Sequence, residues 1–250
     1  MSQSLRIALL QLAPISGDIS YNRVQIRHGL AIAAGCSAEV AITPELAESG
    51  NEFYKSIHLT TLPCLTYPFL ESLREVAYKY EMSIFLGRPE QGQATKEYYN
   101  GFTHIDHEGN IVAHYRKQIL SQYDQEWATA GNQPVCTYVK GMPIGLIIGE
   151  DGDDEEIIRQ YNTVSPKLFF LPTYGTEHQT SIDQYAISRR GVSFVRCSSL
   201  YRETTFFESA SFCLSSRHGG YAFNTSCPQV IIVDYDKQDD IFRFVARYFL

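Results

Sequence analysis

The chain has no apolar run approaching the roughly 18 residues that a membrane-crossing helix needs, so no span is expected along its 250 residues. It has no excess of basic residues. Its 21 Lys and Arg stand against 28 Asp and Glu, a formal charge of −7, which argues against a polyanion binder and makes nucleic acid an unexpected partner. The six cysteines are scattered, with no CxxC pair. Without a visible signal peptide they read as reduced, buried thiols, and Cys136 and Cys197 as core residues, in a cytoplasmic protein. The seven histidines show no ligand spacing, and no glycine-rich phosphate loop is present. The acidic run over 150–156 lacks the order of a calcium loop; Asp151 and Glu156 read as structural members of a turn, Asp153 and Asp154 as solvated. No metal and no cofactor is therefore expected. Internal repeats, low-complexity tracts and linkers are also missing, so residues 1–250 read as one domain.

Hydrophobic residues make up 44% of the chain, enough for a sizeable core. Residues 6–12 form a near-continuous apolar run, the pattern of a strand covered on both faces. A helix is expected over 20–34, with Ser20 as N-cap and Gly35 as its stop. A short strand over 39–42 ends at Pro44. Pro68 is expected in the first turn of a second helix, followed by a strand over 83–86. Residues 98–105 and 111–115 flank His107-Glu108-Gly109-Asn110 and read as a hairpin. Beyond it a strand over 143–148, a helix over 155–161, a strand over 167–171, a helix over 181–190 and a strand over 192–197 are expected. Residues 206–214, a hairpin turn at His218-Gly219-Gly220, and strands over 230–235 and 241–248 give the end of the chain antiparallel character. Alternating helices and strands, with hairpins among them, imply a layered α/β fold with mixed sheets.

Three short motifs each stand at the end of a strand-like run. Thr43-Pro44-Glu45-Leu46 offers a carboxylate and Tyr115-Arg116-Lys117 an ammonium. Ile147-Ile148-Gly149-Glu150-Asp151 offers a tight turn of the kind that displays a nucleophile. Together with Ala8-Leu9-Leu10-Gln11-Leu12-Ala13-Pro14, Tyr99-Asn100, Gly131 and Leu171-Pro172, in that order, they resemble the carbon–nitrogen hydrolase (nitrilase) superfamily, whose triad is Glu, Lys and Cys. The resemblance covers most of the chain and weakens beyond Ser181. It implies a four-layer α-β-β-α sandwich and homo-oligomers that pair helical layers. Gly149-Glu150-Asp151, and Lys117-Gln118-Ile119-Leu120 with Tyr123, are similar to the glutamine-hydrolysing domains attached to NAD synthetases, which carry Cys-Glu-Asp. The family's usual Gly-Tyr after the Glu motif is Gly50-Asn51 here. Its Arg-Ala-x-Glu-Asn stretch reads Ile187-Ser188-Arg189-Arg190, so the family's substrate pocket does not carry over.

What the resemblance implies is amide chemistry on a small amide or carbamoyl compound. Glu45 would be the base, shielded from water so that its pKa rises, and Lys117 would stabilise the oxyanion. A second acidic residue shortly after the lysine is expected at Asp124 or Glu126, and substrate contacts at Tyr123, Glu150 and Tyr174. The departure is Gly149, which holds the nucleophile position and offers no nucleophile. Two origins fit: a substitution made for cysteine, or a natural glycine. A natural one leaves either altered chemistry or a ligand-binding or interaction module. Glycine suits a strained strand-to-turn junction, so the fold is expected to survive the change.

Overall fold

The computed structural model describes residues 4–92, 96–174, 191–200, 210–224 and 226–250. Strand β1 (Ser4–Gln11) is apolar on both faces because both are covered. Leu5, Ile7 and Leu9 enter the core between two sheets, while Ala8 and Leu10 enter a second core under helices. The same alternation recurs in β3 (Ser83–Gln91) and β12 (Gln229–Asp236). Phe85, Ile231 and Val233 face the other sheet; Ile84, Leu86, Val230 and Ile232 face the helices.

The first sheet has the order β13 (Ile241–Phe249), β12, β1, β2 (Val40–Ile42), β3, β4 (Tyr98–Ile105), β5 (Ile111–Arg116). Its centre, β1 with β2 and β2 with β3, is parallel; its flanks are antiparallel. The second sheet runs β11 (Gly219–Asn224), β10 (Ala210–Ser215), β9 (Ser193–Ser198), β8 (Leu168–Thr173), β7 (Met142–Leu146), β6 (Val135–Val139). Here β7, β8 and β9 are parallel. Two mixed sheets packed face to face form the sandwich of an α/β fold. Helices α1 (Ile19–Gly35) and α2 (Leu62–Tyr80) cover the outer face of the first sheet, through Ile26, Leu30 and Ala33 and through Phe69, Leu70, Leu73 and Ala77. The helix expected over 181–190, and the start of the strand expected over 206–214, lie outside the described residues. Among the described residues, no helix is long and apolar enough to cross a membrane.

Several local expectations are corrected. The N-cap of α1 is Asp18, not Ser20; its carboxylate accepts the Tyr21 N–H at 3.0 Å, after a turn that Gly17 makes at φ +79°. Helix α2 begins at Leu62, with a proline at its second position, where the missing N–H costs nothing. Pro68 lies inside it. The helix expected over 155–161 is α3 (Glu155–Arg159), and a 3-10 turn takes over at Gln160–Thr163. The hairpin turn falls at residues 216–218, and Gly219 and Gly220 already pair in β11, where a Cβ at Gly220 would collide with the Cys213 carbonyl oxygen. Cys197 is core, but Cys136 is only half-buried on the outermost strand of its sheet.

Strands β2, β5, β7 and β8 all deliver the chain to one end of the sandwich; β5, antiparallel to β4, runs in the same direction as β3. Glu45 follows β2, Lys117 follows β5, Gly149 follows β7 and Tyr174 follows β8. The carboxyl ends of such strands are where α/β sheets place ligand sites. Gly87 in β3 lets the Glu45 loop lie against the sheet. Its N–H donates to Thr43 Oγ1 at 2.9 Å, and a Cβ there would run into the Pro44 carbonyl oxygen and come within 3.0 Å of Glu45 Cα. Gly87→Ala is expected to lower the free energy of unfolding by about 1–3 kcal/mol. Urea denaturation measures this, with Gly35→Ala as control, since a Cβ at Gly35 meets nothing within 4 Å.

Candidate active site

Each segment reaches the site on a fixed backbone. Thr43 extends the pairing beyond β2 by donating its N–H to Phe85 O at 3.0 Å. The chain then turns sharply, with Leu46 at φ +48° and Gly50 at φ +73°. Buried Glu48 anchors this loop to α1 through Arg23 at 2.7 Å. Lys117 is clamped on both sides: its N–H donates to Asn100 O at 2.9 Å, and its carbonyl accepts the Gly131 N–H at 2.7 Å. Beyond it, Asp151 accepts the Ile119 N–H at 2.7 Å and the Tyr115 hydroxyl at 2.8 Å, tying the Gly149 turn to the Lys117 segment.

The side chains of Glu45 and Lys117 meet in the interior, 4% and 2% exposed. Lys117 Nζ donates to Glu45 Oε1 and to Asp124 Oδ2, both at 2.7 Å. Asn100, on β4, spans the two acids: its Nδ2 donates to Glu45 Oε1 at 2.8 Å and to Asp124 Oδ1 at 2.9 Å. The second oxygen of Glu45 accepts the Tyr174 N–H at 2.8 Å. Asp124 is further held by the Ser121 hydroxyl at 2.8 Å.

The structure thus separates two acids that the sequence left as alternatives. Asp124 opens a 3-10 turn, Asp124–Glu126, and is 1% exposed against Lys117. Glu126, two positions on, is exposed on a different side of that turn and is not among the partners of the lysine. Tyr123 is half-buried, and the hydrogen bonds and ion pairs around Lys117 do not include it. Tyr174 joins the site through its backbone. Asn100 was met in the sequence only as part of a Tyr-Asn pair. Its signal was an amide side chain in a buried strand, where an unpartnered polar group would be costly.

Gly149 opens a 3-10 turn, Gly149–Asp153, at φ +52°. A Cβ built there would lie 3.1 Å from Lys117 Nζ and 3.2 Å from Glu45 Oε2. Any side chain at 149 would therefore begin between the Glu45 carboxylate and the Lys117 ammonium. Glu150, next in the chain, places Oε2 2.6 Å from the same Nζ, although its side chain is 34% exposed. Glu45, Asp124 and Glu150 bring carboxylate oxygens within 4.8 Å of one another, a spacing that suits a metal ion. Lys117 already fills it with positive charge: its ammonium lies within 2.7 Å of all three, and a second cation there would meet that charge head-on. A separate cavity of about 340 Å³ is lined by Glu39, Ser83, Asp106, Cys136, Thr137 and Lys140, among others, and shares no residue with this cluster.

Burial pushes the Glu45 carboxyl up from its ordinary 4.5 to about 7; Lys117 opposes the shift, and Asp124 and Glu150 reinforce it. Lys117 is held well above its ordinary value, since the three carboxylates outweigh the cost of its burial. The ammonium stays charged, and a proton taken up near neutrality belongs to the coupled cluster. Burial also raises Asp151, to about 6. A folded-state pKa above the unfolded one means stability that is full below the unfolded pKa and lost as pH rises through the folded one. For Glu45 that window runs from 4.5 to about 7, and the loss is about 3 kcal/mol. Asp151 adds a loss of the same sign from 3.8 to about 6. Glu45→Gln is expected to remove the upper part of this decline, which urea denaturation at a series of pH values would reveal. An unchanged slope between pH 6 and about 8 would contradict the assignment.

Comparison with known proteins bears on the family and the fold. The family model for carbon-nitrogen hydrolases matches residues 6–164. An (R)-stereoselective amidase from Pseudomonas sp. is 26% identical, over 71% of this chain and 65% of its own length. The chain thus spans a little under two thirds of that relative. Among solved structures, a glutamine-dependent NAD+ synthetase from Acinetobacter baumannii superposes with a TM-score of 0.84 at 16% identity, covering 97% of this chain and 48% of its own. An amidase from Nesterenkonia sp. AN1, with a cysteine changed to alanine and in complex with butyramide, gives a TM-score of 0.79 at 20% identity, covering 94% and 93%. Another form of that amidase shows covalent addition of the acetamide moiety of fluoroacetamide at its active-site cysteine. The chain belongs to the carbon–nitrogen hydrolase family.

Proposed function

We propose that this chain is an amidase-type member of its family that receives a small amide or carbamoyl compound beside Glu45 and Lys117, and that it does so without a covalent intermediate. One observation carries the reading: the Cβ direction at Gly149 points between Lys117 Nζ and Glu45 Oε2, at 3.1 and 3.2 Å. That is where a thiolate would need to start for a base to activate it and an ammonium to meet the oxyanion. With hydrogen in place of a thiomethyl group, acyl transfer to the protein is closed, a loss of about 10⁶-fold by analogy with other nucleophile deletions.

The position of Glu45 favours a second route at the same site. A carboxyl titrating at about 7 is matched to proton transfer at neutral pH. It would take a proton from a water molecule while the oxygen attacks the carbonyl carbon. It would then return that proton to the departing nitrogen as the C–N bond breaks. Lys117 would steady the oxyanion in between. Loss of any measured turnover in Glu45→Gln supports this route, and retention of it excludes the route.

Gly149→Cys tests the main reading. The variant is expected to gain turnover of primary amides and to react with fluoroacetamide, releasing fluoride as the thiol sulfur bonds to the acetamide carbon. Intact mass spectrometry reports the added moiety. Because a side chain at φ +52° is strained, the variant is expected to be less stable by about 1–3 kcal/mol, and Gly149→Ala serves as its folded control. A folded Gly149→Cys that neither turns over amides nor gains mass defeats the proposal.

A further inference from the structure

The cavity of about 340 Å³ lies at the other end of the sandwich, where β2 and β3 begin. Both sheets contribute to it. Glu39 stands just before β2, Glu81 just before β3 and Asp106 just after β4, while Thr137, Tyr138 and Lys140 come from β6 and the turn that follows it. A cavity of this size suits a small organic molecule.

Its acids are held in place. Glu39 Oε2 accepts the Arg6 N–H at 3.0 Å. Asp106 Oδ1 accepts the N–H groups of Glu108 and Asn110, at 3.0 and 2.8 Å, which closes the turn after β4 and leaves Oδ2 outside those bonds. Glu81 ends α2 in the left-handed conformation, at φ +50°. Across from them, Lys140 and Gly141 make the two-residue turn between β6 and β7, at φ +48° and +75°. The Lys140 ammonium pairs with Glu39, so the two sheets are joined beside the cavity.

The charges do not balance. Lys140 is the one Lys or Arg in the lining, and Glu39 already holds it. Three carboxylates against one ammonium leave two negative charges. Nothing behind Thr137 makes up the difference: its hydroxyl meets His104 Nδ1 at 2.8 Å, and burial pushes that imidazole down to about 4, so it is uncharged at neutral pH. Nor does the lining suit a metal ion. Among the described residues, ligand atoms of three such groups converge within 4.8 Å only at Glu45, Asp124 and Glu150. The acids of the cavity are spread apart, and a cation that matches them is spread apart too. Val112, Tyr138 and Val139 give the same lining apolar surface. We propose that this cavity binds a short aliphatic diamine, with one ammonium on Asp106, the other on Glu81, and the methylenes against Val112, Tyr138 and Val139. The site is separate from the amide-binding centre and stands or falls independently of it.

1,5-Diaminopentane, pentylamine and 1,5-pentanediol share a carbon chain and differ in charge. Calorimetry with the full chain is expected to show the diamine binding about tenfold or more tightly than pentylamine, and the diol not at all. Occupancy is also expected to slow alkylation of Cys136, which is half-buried in the lining, and to leave exposed Cys227 unaffected. Peptide mass spectrometry after a timed iodoacetamide pulse reads both. Glu81→Gln, a change at an exposed side chain, is expected to bring the diamine down to the affinity of pentylamine. Adding Asp106→Asn, whose Oδ1 can still serve the turn, is expected to abolish binding and the protection of Cys136. Absence of diamine binding, or equal binding of diamine and monoamine, overturns the proposal. Binding that leaves Cys136 unprotected, or that survives in the double variant, puts the diamine on the acidic surface outside the cavity and overturns it as well.

Discussion

An ammonium taken out of water is tolerable only where its charge and each of its donors are met, and Lys117 imposes that demand on the whole end of the sandwich. Glu45 comes from the loop after β2, Asp124 from a turn beyond β5, and Glu150 from the turn after β7. Three separate stretches of chain from two different sheets are thereby pinned to one nitrogen atom. The cluster is one of the points where the two sheets are joined by polar contact, set against an interface that is otherwise aromatic and aliphatic. Breaking it from one side would strand buried charge, typically at a cost of about 3–5 kcal/mol.

The supporting residues make sense in those terms. Asn100 spends both amide N–H groups on the two acids, which keeps their repulsion from opening the site. Its backbone carbonyl holds the Lys117 N–H, so one residue positions all three partners. Asp151 performs the corresponding task on the second sheet, accepting from Ile119 and Tyr115. The glycines serve the same geometry. Gly87 allows the Glu45 loop to touch the sheet, and a Cβ at Gly131 would strike the Arg116 carbonyl oxygen next to Lys117. Rigidity here comes from backbone contacts that only hydrogen can fill.

How much of this could be read from the chain depended on whether the signal was local. The apolar runs of β1, β7 and β8 announced buried strands, and the strand-end positions of Glu45, Lys117 and Gly149 followed from proline, charge and glycine at those ends. The choice between Asp124 and Glu126 was not local. It is decided by the phase of one 3-10 turn and by Ser121, whose hydroxyl donates to the Asp124 carboxylate and accepts the Asp124 N–H, a pairing that no sequence pattern announces. Asp18 capped α1 in place of Ser20 because Gly17 turned the chain earlier than the helical periodicity suggested. Pro68 misled because proline is a good marker of helix starts, yet another proline already stood at the start. Asn100 carried a contact that only the tertiary fold creates.

The same energetics bear on what Gly149 means. A chain without a nucleophile would be free to lose the base and the cation if they served chemistry alone. They do not: Lys117 and its acids hold the sheets and turns in register, and removing either sign would leave the other unpaired. Their presence therefore has a structural reason that is independent of turnover. Gly149 has one as well. At φ +52°, any L side chain is strained, and its Cβ would press on Lys117 Nζ and Glu45 Oε2. A cysteine there stores strain in return for reactivity, whereas a glycine gives up the reactivity and releases the strain. Retaining the charges while relaxing position 149 is thus the direction stability alone would favour.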